Sequence, residues 1–115
     1  MTEIKKTILL RHRDIPDLNR LDVYLKHGGF DTWHKVVTHM QPGQVTEIVK
    51  ASGLRGRGGA GFPTGMKWAF IDNQNWPHYV VANADESEPG TFKDREIMEH
   101  NPFQFLEGLA MCAFA

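Results

Sequence analysis

Apolar positions in the first half of the chain recur at helical spacing. Leu18, Leu21, Tyr24 and Leu25 share one side of a short helix that Gly28 and Gly29 would end, because glycine accepts the left-handed backbone that closes a helix. Trp33, Val36, Val37 and Met40 repeat the stripe after Asp31, a suitable N-cap. Val45, Ile48 and Val49 mark a third helix that Gly53 would close. Thr64 then precedes Met66, Trp68, Ala69 and Phe70, which predicts a fourth helix with threonine as its cap. After Pro77 the pattern changes: Tyr79, Val80, Val81 and Ala82 form a continuous apolar run that suits a strand buried on both faces. Asn101 and Pro102 open a last helix, asparagine as cap and proline in the first turn. Its Phe103, Phe105, Leu106, Leu109, Met111 and Phe114 leave little polar face, and a helix apolar nearly all round belongs inside something larger. With no capping residue or charged tail at Ala115, the expectation is a fragment or a chain that needs a covering partner.

Composition narrows the picture little. The chain has 115 residues, 41% of them apolar, enough for one small folded domain. A formal charge of -1 gives no global attraction to nucleic acid or to an anionic membrane. The single cysteine, Cys112, rules out an intrachain disulfide or a multi-thiolate metal site made by this chain alone and reads as a buried apolar residue in a reducing compartment. The histidines show no spacing that suggests a metal, so no metal ligands are expected. The basic start MTEIKKTILLRHRD holds only Ile8 to Leu10 as an apolar run, too short for a signal or membrane segment. The expectation is a soluble cytoplasmic protein.

Charge distribution is more informative. Between Ile48 and Ile71 stand Lys50, Arg55, Arg57 and Lys67 with no acid, and the stretch GLRGRGGAGFPTGMKW places six glycines among them. Glycine brings main-chain amides close to a ligand and adopts positive φ, so successive N–H groups can converge on an anion. A helix begun at Thr64 would add its N-terminal dipole. Such a loop suits a phosphate or pyrophosphate. Gly56, Gly58 and Gly61 satisfy GxGxxG, but a helix rather than a strand precedes them, so a Rossmann fingerprint is rejected. Met66 interrupts the contiguous Gly-Lys-Ser/Thr that an ATP P-loop needs. The alternatives are a plain flexible turn, or an RGG-like RNA contact at Arg55 to Gly59, which would occur once in a net acidic chain.

From Asn83 to Glu99 the balance reverses: Asp85, Glu86, Glu88, Asp94, Glu96 and Glu99 face Lys93 and Arg95. Asn83, Asp85 and Glu86 follow the predicted strand, at the place where open α/β sheets bind ligands, and carboxylates there accept hydrogen bonds from ribose or ribityl hydroxyls. A calcium loop fails because Pro89 takes the fifth ligand position. Acids capping a turn around Pro89 and Gly90 are the structural alternative.

The runs SGLRGRGGAGFPTGMKW and VANADESEPGTFKDREIME, followed by NPFQFLEG, closely resemble the family of NADH-binding flavoprotein subunits of NADH:quinone oxidoreductase, respiratory complex I. That family includes diaphorase subunits of NAD-linked hydrogenases and formate dehydrogenases, which these motifs do not separate. The resemblance covers about Val45 to Ala115. It implies an α/β fold: amino-terminal helices over residues 1–44, then residues 45–115 as the first part of an FMN- and NADH-binding domain, incomplete as it stands. It implies FMN and NAD(H) as cofactors, with hydride passing from nicotinamide to flavin and electrons leaving through iron-sulfur clusters towards quinone. Gly56, Arg57, Gly58, Gly59, Ala60, Gly61, Gly65 and Lys67 of the loop, with Asn83, Asp85 and Glu86, would hold FMN. Glu88 would hold the nicotinamide side of NADH, Phe62 and Phe70 would stack on its adenine, and Lys67 and Glu88 are the catalytic candidates. Lys67 would steady negative charge on reduced flavin or on its phosphate. The four-cysteine site that binds a four-iron four-sulfur cluster in full-length members has no counterpart here. Implied partners are NADH, the rest of the flavoprotein, a small iron-sulfur subunit and other oxidoreductase subunits, peripheral on the cytoplasmic face of the inner membrane, with no nucleic acid and no direct membrane insertion. A non-catalytic remnant kept as an interaction module is the remaining rival.

Overall fold

The computed structural model describes residues 8–115. Among the described residues it contains α1 (Leu21–Lys26), α2 (Asp31–His39), α3 (Pro42–Ala51), α4 (Thr64–Trp68), α5 (Lys93–His100) and α6 (Pro102–Phe114). Contacts divide the chain into two compact units. The first takes the chain up to Phe30 with Asn83–Glu107, and the second takes Asp31–Ala82 with Gly108–Ala115.

The first unit is centred on one polar contact. Tyr24 of α1 is buried and its hydroxyl donates to Glu107 Oε2 of α6 at 2.6 Å; the backbone N–H of Phe30 donates to the same oxygen at 3.2 Å. Around this bond the Tyr24 ring packs edge-on to Phe30, centroids 5.4 Å apart, and lies 5.5 Å from Phe103. Such pairs add about 0.5–1.5 kcal/mol beyond their buried area. Gly29 makes room for the ring: a Cβ there would stand 2.0 Å from Tyr24 Cδ1. Gly28, at φ 82°, turns the chain out of α1 as expected. The helix itself begins at Leu21, so Leu18 is buried in the preceding turn while Leu21 and Leu25 are exposed. The Arg13 guanidinium reaches Glu96 of α5 at 3.3 Å.

In the second unit α4 lies directly against the end of α3. Gly65 permits this approach, since a Cβ at that position would sit 2.5 Å from the Lys50 nitrogen. Val45 and Thr46 are the buried positions of α3, and Val36 that of α2. Trp33 meets Phe114 edge-on at 6.1 Å, and the Thr46 hydroxyl donates to the Ala115 carbonyl at 3.4 Å.

Several sequence expectations are corrected. The strand expected over Tyr79 to Ala82 is not formed among the described residues, whose elements are helices, and Tyr79 and Val81 are more than four-fifths exposed. A strand exists only through its ladder partner, and the single β-pairing among the described residues is the bridge between Arg55 and Pro63. Trp76, before this segment, is exposed, and its ring stacks on His78 with centroids 4.3 Å apart. Asp31 and Thr64 are first helical residues, not caps; Pro63 holds the cap position of α4. Asn101 is buried before α6, but its Nδ2 donates to Gln104 Oε1 and its Oδ1 finds no partner among the described residues. Helix α5 arises where only an acidic turn was expected. Phe105 and Leu106 of α6 are exposed, in keeping with a helix that lacks a polar face.

Two tests follow in the full-length chain. Gly65→Ala should destabilise by about 1–3 kcal/mol through overpacking against the α3 backbone. Gly108→Ala, in a helix interior with no atom near its Cβ position, should stabilise by about 0.5–1 kcal/mol; urea midpoints give both signs. Burial, reinforced by the bond to and charge of Glu107 and opposed by Arg11, pushes the Tyr24 phenol above its ordinary value of 10.0. Unfolded tyrosine ionises first, so the unfolded state holds fewer protons above pH 10 and stability falls as pH rises. Tyr24→Phe should cost about 1–3 kcal/mol at pH 7 by removing one hydrogen bond to the Glu107 carboxylate, and the gap from the parent should narrow as pH rises above 10.

Candidate functional site

The glycine segment begins where α3 ends. Ser52 closes the helix, its hydroxyl donating to Val49 O at 2.7 Å, and Gly53 turns left-handed at φ 69°. The segment is then clasped across its neck: Gly56 N–H donates to Phe62 O and Thr64 N–H to Leu54 O, both at 2.9 Å. Arg55 adds a brace, its Nη1 donating to Gly61 O at 3.1 Å. The apex left between is Arg57, Gly58, Gly59, Ala60 and Gly61, and among the described residues no backbone hydrogen bond engages their N–H groups. Gly59 and Gly61 are at φ 113° and 64°. A run of open amides with no Cβ crowding, exposed and without an acid, fits a phosphate-bearing group.

The positive side chains divide. Arg55 is committed to the loop's own carbonyl, whereas the exposed Arg57 and Lys67 form no ion pair among the described residues. Lys67 is carried on α4, only five residues long, so the helix dipole expected from Thr64 onward adds little. Phe62 and Phe70 come together as an exposed pair, centroids 6.1 Å apart. The second unit therefore gathers Gly56, Arg57, Gly58, Gly59, Ala60, Gly61, Phe62, Gly65, Lys67 and Phe70 around one loop and the short helix after it. Sequence reasoning gave Arg55 a general positive charge and a place in the RGG-like alternative; its bond to Gly61 O depends on the closure of the loop, which no sequence pattern signals.

Asn83, Asp85, Glu86 and Glu88 form the acidic turn of the first unit. Asp85 N–H donates to Asn83 Oδ1 at 3.1 Å, and the Ser87 hydroxyl donates to the Asp85 carboxylate. Glu86 receives the backbone amides of Asp94 and Arg95. Glu88 is exposed and its side chain forms no hydrogen bond or ion pair among the described residues, while its carbonyl accepts from Thr91 N–H at 3.2 Å. Lys93 holds its proton more tightly than an isolated lysine, first through its bond to Asp94 at 2.7 Å and then through the charges of Asp94, Glu86 and Glu88. A separate cavity of about 260 Å³, bounded by Arg13, Asp17, Asn19 and His100, contains none of the expected residues. Cys112 is half-buried rather than buried, and that partial burial pushes its thiol pKa up.

A family profile described as the Nuo51 FMN-binding domain matches residues 49–115, more than half of the chain and all of the acidic turn and glycine loop just described. The chain belongs to this family. It is 52% identical over 109 residues to an NADH-quinone oxidoreductase subunit of Rhizobium meliloti, covering 94% of this chain and 26% of that protein. It is 45% identical over 113 residues to an NADH-quinone oxidoreductase subunit of Aquifex aeolicus, covering 98% and 26%. Over 69 residues it is 64% identical to a second such protein of Rhizobium meliloti, covering 58% and 16%. The chain thus spans about a quarter of the length of the first two relatives.

Within this Nuo51-family loop, two neighbouring glycines should respond differently. Gly59→Ala forces an L side chain to positive φ and should cost about 1–3 kcal/mol. Gly58→Ala, with open space at its Cβ position and no such φ, should fall within about 0.5 kcal/mol of the parent, both read from urea unfolding.

Proposed function

We propose that this chain is the amino-terminal part of an NADH-oxidising flavoprotein, the NADH dehydrogenase subunit of an NADH:quinone oxidoreductase. The carrying observation is the open amide run of Arg57 to Gly61, clasped at its neck, within a segment that matches an FMN-binding domain. The names of the relatives support the same reading. Bound FMN would supply the hydride acceptor for NADH and the outlet for electrons.

The chain's residues bind and align; they supply no acid or base step. Hydride transfer depends on stacked, aligned partners more than on proton transfer, so most of the catalytic effect is positioning. Amides from Arg57 to Gly61, with the side chains of Arg57 and Lys67, hold anionic oxygens, and Gly65 keeps Lys67 in place by fixing α4 on α3. Phe62 and Phe70 offer ring faces to the adenine of NADH. On the acidic turn, Asn83 and Asp85 are assigned to FMN and Glu88 to the nicotinamide end of NADH, while both carboxylate oxygens of Glu86 are occupied by the amides of α5. Residues 45–115 form the first part of the domain, and Tyr79–Ala82 becomes a strand when the rest of an α/β sheet pairs with it. The remainder of the flavoprotein carries the four-iron four-sulfur ligands. A small iron-sulfur subunit and the other subunits complete an assembly on the cytoplasmic face of the inner membrane. No helix of the described residues is long and apolar enough to cross a membrane.

Lys67→Ala in the full-length flavoprotein should weaken FMN binding about tenfold, roughly the 1–2 kcal/mol of one charge-assisted hydrogen bond, as measured by flavin fluorescence. Glu88→Gln should raise the KM for NADH while FMN content stays unchanged. Supplying the carboxyl-terminal remainder to this chain should restore NADH-to-ferricyanide turnover; no gain on complementation would count against the reading.

A further inference from the structure

Among the described residues of the acidic turn, Glu86 is the only non-glycine at positive φ, 46°. That conformation disfavours an L side chain and persists where the surroundings enforce it. The enforcing contact is its own carboxylate: Oε1 accepts the N–H of Asp94 at 2.7 Å and Oε2 the N–H of Arg95 at 3.0 Å. These are the second and third residues of α5, whose first amides have no partner within the helix. The residue at the cap position, Phe92, provides no side-chain hydrogen bond. Glu86 therefore supplies the missing acceptor from six residues upstream, with its charge at the positive end of the helix.

We infer that Glu86 is a positioning residue, whose carboxylate serves the amides of α5 and acts on a bound nucleotide by fixing the turn that presents Asp85 and Glu88. The other side-chain bonds of the turn, Asn83 with Asp85 and Ser87 with Asp85, are local to it; Glu86 ties it to a helix. Without that tie, φ at residue 86 relaxes to negative values and the peptide planes on either side rotate. The backbone that carries Asp85 and Glu88 on either side of residue 86 is then displaced. The capping role stands on geometry alone, while its consequence for FMN and NADH rests on the function proposed above.

The test uses the full-length flavoprotein with Glu86→Ala and Glu86→Gln. Amide hydrogen exchange at Asp94 and Arg95, referenced to amides of α6, should rise at least tenfold in Glu86→Ala and by less in Glu86→Gln, which keeps one acceptor oxygen. FMN binding should weaken in the same order, while the absorption spectrum of FMN at saturation stays that of the parent. A changed spectrum in Glu86→Gln with exchange unaltered would make Glu86 a direct ligand and overturn the inference. Raised exchange with FMN and NADH binding untouched would reduce it to a stabilising cap and overturn it equally. If the parent protein bound no FMN, the proposed function would fail, whereas the exchange signature would still report on the cap.

Discussion

The approach of α4 onto α3 at Gly65 is the constraint from which the shape of the glycine loop follows. With no Cβ between them, the end of one helix and the start of the next stand in backbone contact at Lys50. The chain between must leave and return within a narrow gap. It does so through the pairs Thr64 with Leu54 and Gly56 with Phe62, which leaves five residues to reverse direction. Glycine at 59 and 61 meets that demand with left-handed backbone, and the same bareness leaves the amides of the apex facing solvent. Tight closure and an open donor surface are one requirement met by one residue type.

The acidic turn is built on the opposite logic. Its acceptors are partly consumed by donors within its own unit: Asn83 by Asp85, Asp85 by Ser87, and Glu86 by α5. Glu88 alone of the four keeps a carboxylate without a hydrogen bond among the described residues. Hydrogen bonds that fix a turn also lower the entropy lost when a ligand is seated, so residues that look redundant as ligands contribute by keeping the others still.

What could be read from the sequence was what depends on local order. The stripes of α2 and α3 follow from side-chain period, α6 from its long apolar run, and the left-handed exits at Gly28 and Gly53 from the residue type. Helix α5 escaped because its apolar content is little more than Ile97 and Met98, and because its acceptor lies six residues before the cap position, outside any local capping rule. The bond from Tyr24 to Glu107 joins positions 83 apart, a separation that no periodicity reveals; the stripe through Leu18, Leu21, Tyr24 and Leu25 mispredicted which of the four are buried. The loop and turn residues were found by motif resemblance, while the clasp, the Arg55 brace and the role of Glu86 depend on backbone angles that composition does not encode.

The run Tyr79 to Ala82 joins these threads. Burying a large apolar side chain contributes about 1.5–3 kcal/mol, and Tyr79 and Val81 leave nearly all of that unrealised at 81% and 87% exposure. Their sequence suits a buried strand, and under the proposed function the remainder of the domain would bring the ladder partner. The acidic turn starts at the next residue, Asn83. Pairing of the strand would therefore fix the turn from its amino-terminal side, while Glu86 and α5 already fix it from the carboxyl-terminal side. Under the proposed function the turn would reach its working rigidity only with the sheet assembled, and cofactor retention and completion of the domain would be linked equilibria through the few residues of chain between them.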